Sequence, residues 1–170
     1  MVEANPKLAT IENFKKANQK ENWYLRCKMV QLNHKLATIE NFQDEEDGYV
    51  RANMVEANST LATLKNFNKE KNHCVRCSMV EANPELATQD NFDDEKKRWA
   101  VRLAMIKANS DLATQNNFQD EKDEYVRANM VEANSTLATQ KNFYNETDCY
   151  VRRFMKKINP ALKTIKFKKI

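Results

Sequence analysis

The chain has 170 residues, 41% hydrophobic and 31% charged, with a net charge of +4, enough for one ordinary domain with a core. One glycine and three prolines exclude a hairpin-rich β-barrel or sandwich, whose tight turns need glycine at positive φ. Gly48 alone builds neither a GxGxxG nor a GxxxxGK phosphate loop.

A mean hydropathy of −0.82 fits a long all-helical chain best. The first residues, Met-Val-Glu-Ala-Asn-Pro, show no basic segment followed by an apolar run, and no 18-residue apolar stretch occurs. The expectation is a cytoplasmic chain with no membrane span. Lys156, Lys157, Lys163, Lys166, Lys168 and Lys169 put six positive charges in the last 16 residues, while the other 154 sum to −2. A protein gripping nucleic acid along its whole length is usually basic throughout; here only the tail is.

Read in chain order, the sequence is one repeat from end to end. Methionine recurs at Met1, Met29, Met54, Met79, Met105, Met130 and Met155, at spacings of 28, 25, 25, 26, 25 and 25. Four residues after each stands asparagine, seven after leucine and nine after threonine, as in Asn58, Leu61 and Thr63. Phenylalanine follows at thirteen in six units (Phe14, Phe42, Phe67, Phe92, Phe118, Phe143). Repeats start at 1, 29, 54, 79, 105 and 130, and a truncated seventh over 155–170 reads as a C-terminal cap. Residues 49–63 and 125–139 are identical, which suggests a recent duplication of three units. The whole of 1–170 reads as a single helical-repeat domain.

Each unit predicts two short helices. The first begins at the threonine, whose hydroxyl caps it, with asparagine at the third helical position and phenylalanine on the buried side. The second runs through Tyr-Val-Arg-x-x-Met-Val-Glu-Ala; Val50, Met54, Val55 and Ala57 fall on one face of a 3.6-residue helix. Asparagine is expected to close it in the left-handed conformation. The few apolar side chains of one unit do not offset the entropy of ordering it, so neighbouring units must stack, which is the logic of a solenoid.

Val50-Arg51 through Asn58, and Val75-Arg76 through Asn83-Pro84, followed by a threonine-capped segment and an acidic turn, resemble the leucine-rich repeat variant family. The resemblance implies an all-α, right-handed solenoid of about seven two-helix repeats, one piece α and one 3₁₀. The Leu-Ala between asparagine and threonine, and phenylalanine in place of an aliphatic residue, point toward a neighbouring possibility, a HEAT-like α–α pair. The family has no common activity, so the resemblance implies a scaffold. One family member carries an iron–sulfur cluster beside its repeats; that needs a cysteine cluster outside them, and this chain has none.

Several residues carry chemistry in principle. His73, Cys74 and Cys77 form a short metal or redox motif, but two thiols on one helix fall short of the four ligands zinc takes, and unremarkable thiols are expected. Neither His73 nor His34 has an evident orienting acid, and no catalytic residue or cofactor is expected. Arg26, Arg51, Arg76, Arg102, Arg127 and Arg152 form a column. They serve either as a basic rail or in internal pairs with Glu45, Glu70, Glu95, Glu121 and Glu146, each six or seven residues before an arginine. Trp23 and Trp99 fall in the two units with longer loops and are expected at the surface. Tyr24, Tyr49, Tyr125 and Tyr150 either pack beside the turns or stack bases. The leading expectation is a non-enzymatic scaffold that binds another protein. Partner-contacting candidates are the six arginines, Trp23, Trp99, Lys166, Lys168 and Lys169. The alternatives are nucleic-acid binding through the arginines and the lysine tail, or a metal or redox protein at Cys74 and Cys77.

Overall fold

The structure, a computed structural model, describes residues 2, 4–17 and 22–165. Among these there is no strand; the chain alternates short and long α-helices with 3₁₀ turns between them. It divides into two compact units, Met1–Leu86 and Ala87–Ile170. The first holds α1 (Ile11–Lys16), α2 (Trp23–Leu32), α3 (Ile39–Asp44), α4 (Gly48–Ala57), α5 (Leu64–Lys69) and α6 (His73–Ala82). The second holds α7 (Gln89–Asp94), α8 (Trp99–Ala108), α9 (Gln115–Asp120), α10 (Glu124–Ala133), α11 (Gln140–Asn145) and α12 (Cys149–Ile158). Within each unit the long helices pack in chain order: α2 on α4 and α4 on α6, then α8 on α10 and α10 on α12.

The short helices start as expected. The Thr38 hydroxyl accepts from the Asn41 amide, and Thr10, Thr63, Thr88, Thr114 and Thr139 repeat the cap. Six residues are too few for a helix to persist alone, so these depend on burying their phenylalanine. Phe14, Phe42, Phe67, Phe92, Phe118 and Phe143 are all buried. Most long helices have their own cap: Asp47, Asn72, Asp123 and Asp148 each accept from two backbone amides of the following turn. Where the loop is longer the cap is lost, and Arg98 precedes α8 without capping it. Gly48 opens α4 where the Asn72 side chain lies against it, and a Cβ there would strike that side chain.

The end of the long helices differs from the expectation. Asn58 is extended (φ −146°, ψ 93°), and no described residue has a positive φ. Asparagine is therefore not a left-handed C-cap. Its oxygen caps a 3₁₀ turn instead, Ser59–Leu61 after Asn58, and its amide donates to an alanine carbonyl of the preceding repeat. The stretch from asparagine to threonine, outside both helices expected from the sequence, is thus a third helical piece, and both of the other pieces are α.

The core of the first unit is built on Val30, Leu36, Val50, Met54, Val55, Leu61, Val75, Met79 and Val80 beneath the phenylalanines. Val101, Met105, Ile106, Leu112, Val126, Met130, Val131, Leu137, Val151 and Met155 do the same in the second. At the C-terminal end a 3₁₀ segment, Pro160–Thr164, packs on α12; Leu162 is buried and Ile165 half-buried. Phe167, which the cap reading would turn inward, and Lys166, Lys168 and Lys169 lie outside the described residues.

Candidate interaction surface

The arginine column faces inward. Arg26 is 1% exposed, Arg76 and Arg102 are buried, and Arg51, Arg127 and Arg152 are half-buried. Arg26 donates from Nε and Nη2 to the two carboxylate oxygens of Glu45 at 2.7 and 2.8 Å. Arg51 grips Glu70 in the same fork, Arg102 grips Glu121 and Arg127 grips Glu146. Planar two-point pairing of this kind is what guanidinium is suited for. The partner is not the glutamate six or seven residues before the arginine but the one 19 residues after it, in the next repeat. The glutamate nearer in sequence contributes its backbone: Arg51 Nη1 donates to the carbonyls of Glu45 and Glu46, and Arg102 Nη1 to that of Glu95. Arg76 donates to the Phe67 and Glu70 carbonyls and lies with its guanidinium 3.6 Å from the Phe67 ring centroid.

Each glutamate also organises the next helix. Glu70 accepts from the Asn72 amide at 2.7 Å, and Asn72 is the cap of α6. Burial pushes the Glu70 carboxyl up, but the hydrogen bonds from Arg51 and the Asn72 amide outweigh it and hold the group below its ordinary value. Burial pushes Arg127 down, and its hydrogen bonds to Glu146 reverse that and raise it.

A second ladder runs through the asparagines. Asn33 Nδ2 donates to the Ala9 carbonyl at 2.7 Å, Asn58 to Ala37, Asn83 to Ala62, Asn109 to Ala87, Asn134 to Ala113 and Asn159 to Ala138. In the second unit glutamine and asparagine add a third: Gln89 and Asn117 exchange two hydrogen bonds, as do Gln115 and Asn142. Shallow clefts of 480 and 530 Å³ open over the Arg51–Glu70 and Arg127–Glu146 pairs.

The aromatics face outward. Trp23 is 40% exposed and touches Tyr24 and Tyr49 with ring centroids 5.9 and 5.4 Å away. In the second unit Trp99, Tyr125, Tyr150 and Phe154 follow one another, ring on ring. Sequence reasoning missed Phe154; its signal is the four-residue spacing from Tyr150 on a helix.

His73 Nε2 stands 3.5 Å from Cys74 Sγ at the start of α6, with Cys77 one turn on. Among the described residues no three histidine, cysteine or acidic side chains come together as a ligand set. Cys27 is buried, which with the charges of Asp47 and Glu45 pushes its thiol up to about 11. Among the described residues no helix is long and apolar enough to cross a membrane. The chain matches no protein-family model, no curated protein and no solved structure.

Proposed function

We propose that the chain is a non-enzymatic helical-repeat scaffold, a solenoid of about seven units resembling the leucine-rich repeat variant and HEAT-like arrays, that binds another protein. The observation that carries this reading is a division of labour among side chains. The arginine, glutamate and asparagine that recur along the chain join one repeat to the next, as in the Arg26–Glu45, Arg51–Glu70, Arg102–Glu121 and Arg127–Glu146 pairs and the asparagine–carbonyl bonds. Trp23 and Trp99, which vary between units, and the tyrosines that recur in only some of them, Tyr49 among these, are left at the surface. Tryptophan and tyrosine are the side chains that most often anchor protein interfaces. The arginine-rail version of nucleic-acid binding has less support, because the guanidinium donors are already engaged.

The test is affinity capture from the source cell in nuclease-treated lysate, repeated with Trp23→Ala and Tyr49→Ala together. The expected result is one defined protein that survives nuclease and is lost with the double variant. Capture that disappears on nuclease treatment alone, or that ignores both substitutions, overturns the reading.

A further inference from the structure

Two sets of observations converge on the exposed side of α8, α10 and α12. The first is aromatic. Trp99 is 48% exposed, Tyr125 52% and Tyr150 41%. Their rings nevertheless stand in contact, with centroids 6.2 Å apart from Trp99 to Tyr125 and 5.8 Å from Tyr125 to Tyr150. Phe154 extends the run along α12 at 5.4 Å from Tyr150. These are not scattered surface residues but one continuous row of rings, tilted against one another by 35°, 52° and 56°.

The second is charge. Tyr150, Arg153, Phe154 and Lys157 occur at i, i+3, i+4 and i+7, so they share one face of α12. Arg153 and Lys157 are exposed, and Lys157 Nζ lies 5.5 Å from the Phe154 centroid. Unlike Arg26, Arg51, Arg102 and Arg127, neither makes an ion pair with a described residue. From Cys149 onward the sequence has eight basic residues and no acidic one, whereas residues 1–86 carry twelve of each sign.

A row of rings beside cations that make no ion pair suits a polyanion that itself presents flat faces. A duplex keeps its base faces stacked on one another, and an acidic peptide without aromatic or apolar side chains meets the cations while leaving the rings uncovered. Unpaired bases stack on aromatic side chains regardless of sequence, and their phosphates take the cations. We propose that Trp99, Tyr125, Tyr150 and Phe154, with Arg153 and Lys157, bind single-stranded nucleic acid. This goes beyond the protein-binding reading and uses none of the arginine column.

The chain has two tryptophans, which supply reporters. Trp23→Phe leaves Trp99 as the only indole, and Trp99→Phe leaves Trp23. Each full-length variant is titrated with oligo(dT) of about 12 nucleotides, within the usual span of such sites. The expected result is saturable quenching of Trp99 and none of Trp23. Tyr150→Ala and, separately, Tyr125→Ala weaken binding about tenfold. Arg153→Ala with Lys157→Ala reduces the slope of log affinity against log salt by about 1.4. These side chains are exposed, and circular dichroism checks that each variant keeps its helix. Absence of quenching at Trp99 overturns the proposal. So does binding that both tyrosine variants leave unchanged, or that poly-glutamate of equal charge displaces as well as oligo(dT) does; either result assigns the face to charge alone and favours an acidic protein partner.

Discussion

Removing one partner of a buried ion pair leaves the other charge where little solvates it. Arg102 and Glu121 are both buried, with 2.6 and 2.7 Å bonds between them. Arg102→Met should therefore cost about 3–5 kcal/mol in urea unfolding. Arg102→Met combined with Glu121→Leu should recover much of that, since no charge is then stranded. The Arg51–Glu70 pair makes stability depend on acid. Glu70 has a folded pKa below its unfolded one, so its contribution is fully present above about pH 4.5 and is lost as pH falls through the lower, folded value. Urea midpoints measured from pH 7 down to pH 3 should fall below pH 4.5, and Glu70→Gln should flatten that fall. The thiols differ as sharply. At pH 8 a thiol displaced to about 11 is almost wholly protonated, so iodoacetamide should label exposed Cys149 first and Cys27 last, read by peptide mass spectrometry.

At the scale of the element, what was legible in the sequence is what local bonds decide. The threonine cap reaches only three residues, to the Asn41 amide from Thr38, and the phenylalanine stands four residues after the threonine, about one helical turn on, so both can be read without knowing the fold. The 3₁₀ turn escaped because its asparagine is held by a carbonyl 21 residues away, at Ala37 for Asn58. The arginine partners were misassigned for a related reason. Nearness in sequence favoured the glutamate of the same turn, but that glutamate presents its backbone carbonyl to Nη1, and the free fork of the guanidinium faces the next turn. One substitution separates the two accounts of the asparagine. A left-handed C-cap would welcome glycine, so Asn58→Gly would be neutral or stabilising. The extended Asn58 predicts the reverse, a loss of about 1–3 kcal/mol in thermal or urea unfolding, because the Ala37 carbonyl and the cap of the 3₁₀ turn both lose a partner.

For the whole molecule, the helical class was legible from one glycine and a methionine period, and so was the surface place of Trp99; the ring contacts that join Trp99, Tyr125, Tyr150 and Phe154 were not, because no periodicity says how rings on neighbouring helices meet. The cap reading of residues 155–170 belongs to this scale too. Met155 and Leu162 are buried, and Lys156 lies over the Phe143 ring at 5.2 Å. Deleting 155–170 should lower the melting temperature and cause aggregation through exposure of Phe143 and Val151. A soluble truncation with unchanged melting would leave the segment no structural part.

The bonds that join one repeat to the next all close short stretches of chain: 19 residues for each Arg–Glu pair, 21 to 24 for the asparagines, and 27 or 28 for the glutamine–asparagine exchanges. Closing a loop of that size takes well under a microsecond, and its entropy grows only with the logarithm of length. No contact among these requires distant parts of the polypeptide to find each other. Folding should therefore start at any repeat and spread to its neighbours, at rates set by a single closure, so that adding repeats should raise stability while leaving the folding time nearly unchanged.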